Sequence, residues 1–102
     1  MKTGIELIAE ERQRQISQEG WTPEHDDGHT GGEMADAAVC YIETATLQDV
    51  VDIPYVSVRD TPEGWPWDYE WWKPSEDPIR NLVKAGALIA AEIDRLQRKE
   101  KP

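Results

Sequence analysis

The sequence predicts an all-α protein: a small bundle of three main helices, over about residues 4–19, 31–47 and 78–99, with a long Trp/Pro-rich loop and a short strand. Three observations predict this. Both ends of the chain carry apolar residues at helical spacing. Two segments open on N-terminal helix signals, Thr30 with Glu33 and Asp77 with Pro78. The alternation typical of a strand appears only in the stretch "YVSVRD", residues 55–60.

In the first helix Ile5, Ile8, Ala9, Ile16 and the stem of Arg12 share a face, and Glu6, Glu10 and Arg14 fall on the other. Glu10 precedes Arg14 by one turn, the favourable order for an exposed ion pair. The second helix is expected to start in a capping box, with the Thr30 hydroxyl and the Glu33 carboxylate satisfying free amides. Its core stripe is Met34, Ala37, Ala38, Tyr41 and Ala45, and Glu33, Asp36, Cys40 and Glu43 line the neighbouring face. The last helix starts with Asp77 as N-cap and Pro78 at its first position. Ile79, Leu82, Val83, Gly86, Ile89, Ala90 and Ile93 form its wide core stripe. Ala87, Leu88 and Ala91 leave the opposite side apolar too, so the helix is expected to be either central or shared with another subunit, which motivates the expectation of a homo-oligomer. The basic end "RLQRKEK" suits the negative pole of the helix dipole.

A chain of 102 residues is expected to form one domain, 1–102. Its 11 Lys and Arg against 21 Asp and Glu give a charge of -10, which repels a phosphate backbone and argues against nucleic-acid binding. A small anionic ligand remains compatible, because a local arginine cluster or a divalent cation reverses the sign inside one cleft. The single Cys40 excludes an intramolecular disulfide, and the N-terminal residues lack a signal peptide's apolar run. The longest apolar run, 85–91, is too short to cross a bilayer. The expected location is the cytoplasm, with no membrane partner.

Two stretches invite chemistry. The first is "WTPEHDDGH", where Trp21 precedes His25, Asp26, Asp27 and His29. Pro23, Asp27 and Gly28 favour a turn over a helix here, and the two histidines match no established zinc spacing. The segment is read as the wall of a ligand cleft, with these four polar side chains turned toward its mouth. The second is "EGWPWDYEWWKP", a tryptophan-rich loop suited either to stacking on a base or to anchoring a protein partner. Trp21, Trp65 and Trp67 are the stacking candidates, and Arg12, Arg14, Lys73 and Arg80 are the cations available to a phosphate. Cys40 has no neighbouring histidine in sequence to activate it and is expected to be inert.

The segments "ERQRQISQEGW", "EHDDGH", "GEMADAAVCY" and "LVKAGALIAAEIDRL" resemble small proteins encoded by phages and prophages, which would place the chain in a host cell's cytoplasm. More distantly, their order is similar to MazG-like nucleotide pyrophosphohydrolases. That resemblance implies an all-helical, oligomeric fold in which an acidic ExxE helix faces an ExxD helix and holds magnesium at the phosphates of a nucleoside triphosphate. Glu33 and Asp36 match part of the pattern and are the implied catalytic pair, with Asp94 as a further metal ligand. The usual doubled glutamate is missing, Glu92 and Asp94 stand two apart, and Glu10 and Glu11 are the substitutes the first helix offers. The functional expectation is binding of a nucleotide or nucleotide-derived ligand, with magnesium-dependent release of pyrophosphate as one outcome. The alternatives are a non-catalytic phage protein that sequesters a nucleotide immune signal, and an interaction module that docks through the tryptophan loop.

Overall fold

Thr3 starts the first helix: its hydroxyl accepts from the Glu6 amide at 3.2 Å, and the Glu6 carboxylate accepts from the Thr3 amide at 3.1 Å. This reciprocal cap satisfies two amides that a helix start otherwise leaves unpaired. The computed structural model describes residues 1–100, so Lys101 at the end of the basic run and the last residue of the expected domain lie outside the described residues. Among the described residues the elements are α1 (Gly4–Gln18), α2 (Pro23–Asp26), α3 (Glu33–Asp49), α4 (Tyr55–Val58), a 3-10 turn (Tyr69–Trp71) and α5 (Pro78–Glu100). They contain no strand, and the protein is an all-α bundle of three long helices.

The expected strand over 55–60 is instead the single turn α4, which buries Val58. A lone strand here would have no neighbour to pair its amides, whereas one helical turn satisfies them locally, as the Arg59 amide does on the Tyr55 carbonyl at 3.0 Å. The capping box expected at Thr30 is also displaced. Gly32, in the left-handed region at φ 84°, turns the chain directly into α3 without a side-chain cap. Glu33 becomes the first helical residue and reaches His29 instead, Oε2 to Nδ1 at 3.3 Å.

α3 and α5 form the main helix pair. The stripe Met34, Ala37, Ala38, Tyr41 and Ala45 is buried as its spacing predicts, and small side chains there let α5 approach closely. On α5 only part of the expected stripe turns inward. Val83 is buried, Gly86 and Ala90 are half-buried, and Ile79, Leu82, Ile89 and Ile93 are exposed, whereas Ala87, Leu88 and Ala91 from the other side are buried in the core. The reason is size: the face rich in alanine lets α5 lie close to its neighbours, with Val83 and Leu88 as its only large apolar side chains in the core. Gly86 shows the same constraint, because an added Cβ would lie 2.5 Å from Cδ1 of Ile8 on α1.

α1 is likewise turned. Glu11 and Gln15 are its most buried residues, and Ile5 and Ala9 are exposed. Burial of Glu11 is compensated by two guanidinium groups: Arg14 donates to both carboxylate oxygens at 2.8 Å, and Arg80 of α5 closes the group. Arg14 therefore pairs with Glu11 and with Glu19 at 3.0 Å, not with Glu10, which binds Lys2. At the start of α5, Asp77 accepts from the Ile79 amide at 2.9 Å, the expected cap. No helix among the described residues is long and apolar enough to cross a membrane.

The long loop folds back over α3. Trp65 and Trp72 enter the core around Tyr41, with ring centroids 5.8 and 4.7 Å from the phenol ring. Its return to α5 is held by Asn81, fully buried, which accepts from the Ser75 amide at 2.8 Å and donates to the Ser75 carbonyl at 3.0 Å and to Gln48 at 2.8 Å.

Candidate functional site

Gly20, at φ 74°, reverses the chain after α1, and Thr22 then caps α2 by accepting from the His25 amide at 3.3 Å. The Trp21 to His29 segment is thus one helical turn between two glycine-assisted bends, where its composition favoured an irregular turn. Two arginines clamp it. Arg12 donates to the Trp21 carbonyl at 3.1 Å and to the buried Asp26 carboxylate at 2.6 Å. From α5, Arg98 donates to Asp27 at 2.7 and 3.0 Å and to the Pro23 carbonyl at 3.2 Å.

With Asp26 and Asp27 committed to these clamps, the histidines are left beside an open cleft of about 620 Å³. Its floor is apolar, made by Met34 of α3 and by Leu88 and Ala91 of α5. Its walls are aromatic. The His25 and His29 rings meet edge-on at 4.9 Å, His29 lies 5.2 Å from Trp67, and Trp67 lies 6.3 Å from Trp21. Trp71 borders the cleft from the 3-10 turn.

Two polar atoms at this cleft lack partners. Gln15 is buried and donates through Nε2 to Glu11 at 3.3 Å, an orientation required because the carboxylate only accepts. Its Oε1 accepts nothing, and the indole N–H of Trp67 donates to nothing. The indole N–H of the core residue Trp72 is unpartnered in the same way, and a buried polar group without a partner costs about 1–3 kcal/mol. The local charge is negative: Glu19, Asp26 and Asp68 stand against Arg12, whose guanidinium is already engaged.

Of the residues that the sequence marks for ligand binding, Arg12, Trp21, His25, Asp26, His29 and Trp67 line the cleft. The others do not. Asp27 binds Arg98, and Arg14 and Arg80 bind Glu11. Trp65 is a core residue whose indole N–H donates to the Asp68 carbonyl at 3.1 Å. Lys73 lies over the Trp71 ring, 5.4 Å from its centroid. The tryptophan loop offers few free anchors, since Trp65 and Trp72 are buried and only Trp71 among the loop tryptophans is exposed.

The residues implied for magnesium do not fit a metal centre. Glu33 faces His29, Asp36 and Asp94 are exposed, and Glu92 is held by Arg95 at 2.6 Å. Among the described residues no group of three or more His, Cys, Asp or Glu side chains is placed to hold a metal ion. Cys40 is buried, and burial together with Glu43 and Asp36 pushes its thiol pKa up, away from the reactive thiolate.

Gln15, Asp68 and Leu88 are lining residues that sequence reasoning missed. One signal was available for Gln15: it follows Glu11 by four and Arg12 by three, so a helix that buries Glu11 carries Gln15 on the same face. Comparison with known proteins adds no relative: no family model, curated protein or solved structure matches the chain.

Proposed function

We propose that the cleft binds a nucleotide or nucleotide-derived small molecule and holds it by its base, without hydrolysing it. The observation that carries this reading is the aromatic wall of the cleft, where the rings of Trp21, Trp67, His25 and His29 stand together over an apolar floor. A heteroaromatic base stacks on such rings. The volume of about 620 Å³ lies in the range of small-molecule sites. Because the cleft carries more carboxylates than free cations, the base is the part it accommodates, and a phosphate is directed to the mouth. Glu33, Asp36 and Asp94 stand apart, so no hydrolytic step is derived through them. A binder without turnover lowers the free concentration of its ligand, which is the sequestering role.

Thermal unfolding with adenosine, guanosine, their mono- and triphosphates, ADP-ribose and cyclic dinucleotides tests this. A ligand at 100 times its dissociation constant adds about 2.7 kcal/mol. Trp67→Ala removes the stacking wall and should weaken that ligand about tenfold while far-UV circular dichroism stays unchanged. A profile flat for every compound overturns the reading, and pyrophosphate release with magnesium and a triphosphate would restore hydrolysis.

A further inference from the structure

Beside the cleft lies a second, smaller recess of about 30 Å³, lined by Glu11, Arg14, Tyr41, Lys73 and Lys84. Gln15, Glu19, Trp21, Trp71 and Leu88 line both, so the two adjoin. The charge of the recess is opposite to that of the cleft. Arg14 and Arg80 are balanced by Glu11 and Glu19, with which they form salt bridges. The ammonium groups of Lys84 and Lys73 are left over, and among the described residues neither pairs with a carboxylate. Lys84 is half-buried on α5, where Nζ donates to the Lys73 carbonyl at 2.6 Å and lies 5.6 Å from the centroid of the Tyr41 ring. An ammonium has three N–H groups, so two are unspent. Burial, and after it the charge of Arg80, lower the Lys84 pKa from the ordinary 10.5, as expected of a cation short of counter-charge. Lysines are rarely withdrawn from water without a partner, and in a chain of net charge -10 a carboxylate for this one was not scarce.

We infer that the recess takes the phosphate of the nucleotide whose base stacks in the cleft, with Lys84 as its principal cation and Lys73 at the rim; this rests on the reading of the cleft as a base site. A recess of this volume is too small for a ring, and free ammonium N–H groups suit the oxygens of a phosphate, whether esterified or free. The two pockets then divide the ligand by charge. The base lies over the apolar floor, and the anion is turned away from Asp26 and Asp68, which line only the cleft. Lys73 joins the two parts: its carbonyl holds Lys84, and its ammonium stands over Trp71, which borders both pockets. Fixed ammonium groups supply the counter-charge here, so the phosphate is held without the magnesium that Glu33 and Asp36 were expected to carry.

Calorimetric titrations in EDTA, which keeps divalent cations out, compare adenosine with AMP, guanosine with GMP, and pyrophosphate alone. In at least one pair the monophosphate should bind about tenfold more tightly than its nucleoside. Raising salt from about 0.05 to about 0.5 M should remove that advantage and spare the nucleoside. Pyrophosphate should bind by itself and compete with the monophosphate. Lys84→Met, which keeps a stem against Tyr41, should bring the monophosphate to the nucleoside's affinity, leave the nucleoside unchanged and abolish pyrophosphate binding, with unchanged far-UV circular dichroism. Lys73→Ala, at an exposed position, should remove part of the advantage. A monophosphate that binds no more tightly than its nucleoside overturns the inference and leaves the base reading standing. A Lys84→Met variant that weakens both equally also overturns it, since Lys84 would then only shape the cleft. Pyrophosphate bound through Lys84 by a protein that takes neither nucleoside nor monophosphate would overturn the base reading and leave the recess a site for free phosphate. Binding of none of these compounds overturns both.

Discussion

Glu11 sits almost without water contact in a protein of net charge -10, and its charge is held by partners. Burial pushes its pKa up, but the hydrogen bonds and charges of Arg14 and Arg80 outweigh burial and bring it below the ordinary 4.5. A carboxylate with a depressed pKa stabilises the fold above its unfolded value, and that contribution is lost as pH falls through the folded value. Urea midpoints measured from pH 7 down to pH 3 should therefore show an acid limb starting below about 4.5. Glu11→Gln should be less stable at pH 7 by about 1–3 kcal/mol, less than for a fully buried pair because Arg14 and Arg80 keep partial water contact. It should also flatten the acid limb. An unchanged limb would mean that other carboxylates carry the transition. This burial was not legible in the sequence, where Glu11 appears only as a substitute acid for the metal pattern; the decisive partner, Arg80, is 69 residues away.

At the scale of elements, what could be read was whatever local chemistry settles. The stripe of α3 and the Asp77–Pro78 start of α5 follow from spacing and capping alone, and both are found. What could not be read was which of two apolar faces of α5 turns inward, because hydropathy favours the branched face and packing distance favours the alanine face. Gly86 tests that competition. In an open helix Gly→Ala gains about 1 kcal/mol, but here the new methyl would meet Ile8 at 2.5 and 2.7 Å. Gly86→Ala should therefore lower the thermal midpoint of the protein. In an Ile8→Ala background the same change should raise it, since the obstacle is gone. Equal effects in the two backgrounds would show that Ile8 does not press on Gly86. The cleft was partly legible for a related reason: Trp21, His25 and His29 are neighbours in sequence, while Trp67, Leu88 and Ala91 reach them only through the tertiary fold.

Over the whole molecule, the cleft exists because the tryptophan loop is tied down at both of its ends. Trp65 and Trp72 pack on Tyr41 near the middle of α3, and Asn81 fixes the loop's return through Ser75 and Gln48. Trp67 and Trp71, which wall the cleft, lie between these attachments. Asn81→Ala would leave the Ser75 amide and Gln48 Oε1 without that partner, while the Ser75 carbonyl keeps the Gln48 amide at 2.9 Å. The expected cost is about 1–3 kcal/mol, seen as a lower urea midpoint. Val56→Ala, at an exposed site on α4, should stay within about 0.5 kcal/mol. Because the clamp and the cleft share one loop, Asn81→Ala should also give earlier, more solvent-exposed tryptophan emission than far-UV circular dichroism reports for the helices. Coincident transitions by the two probes would mean that the loop and the helix bundle unfold as one unit, and that the cleft wall is no less stable than the core beneath it.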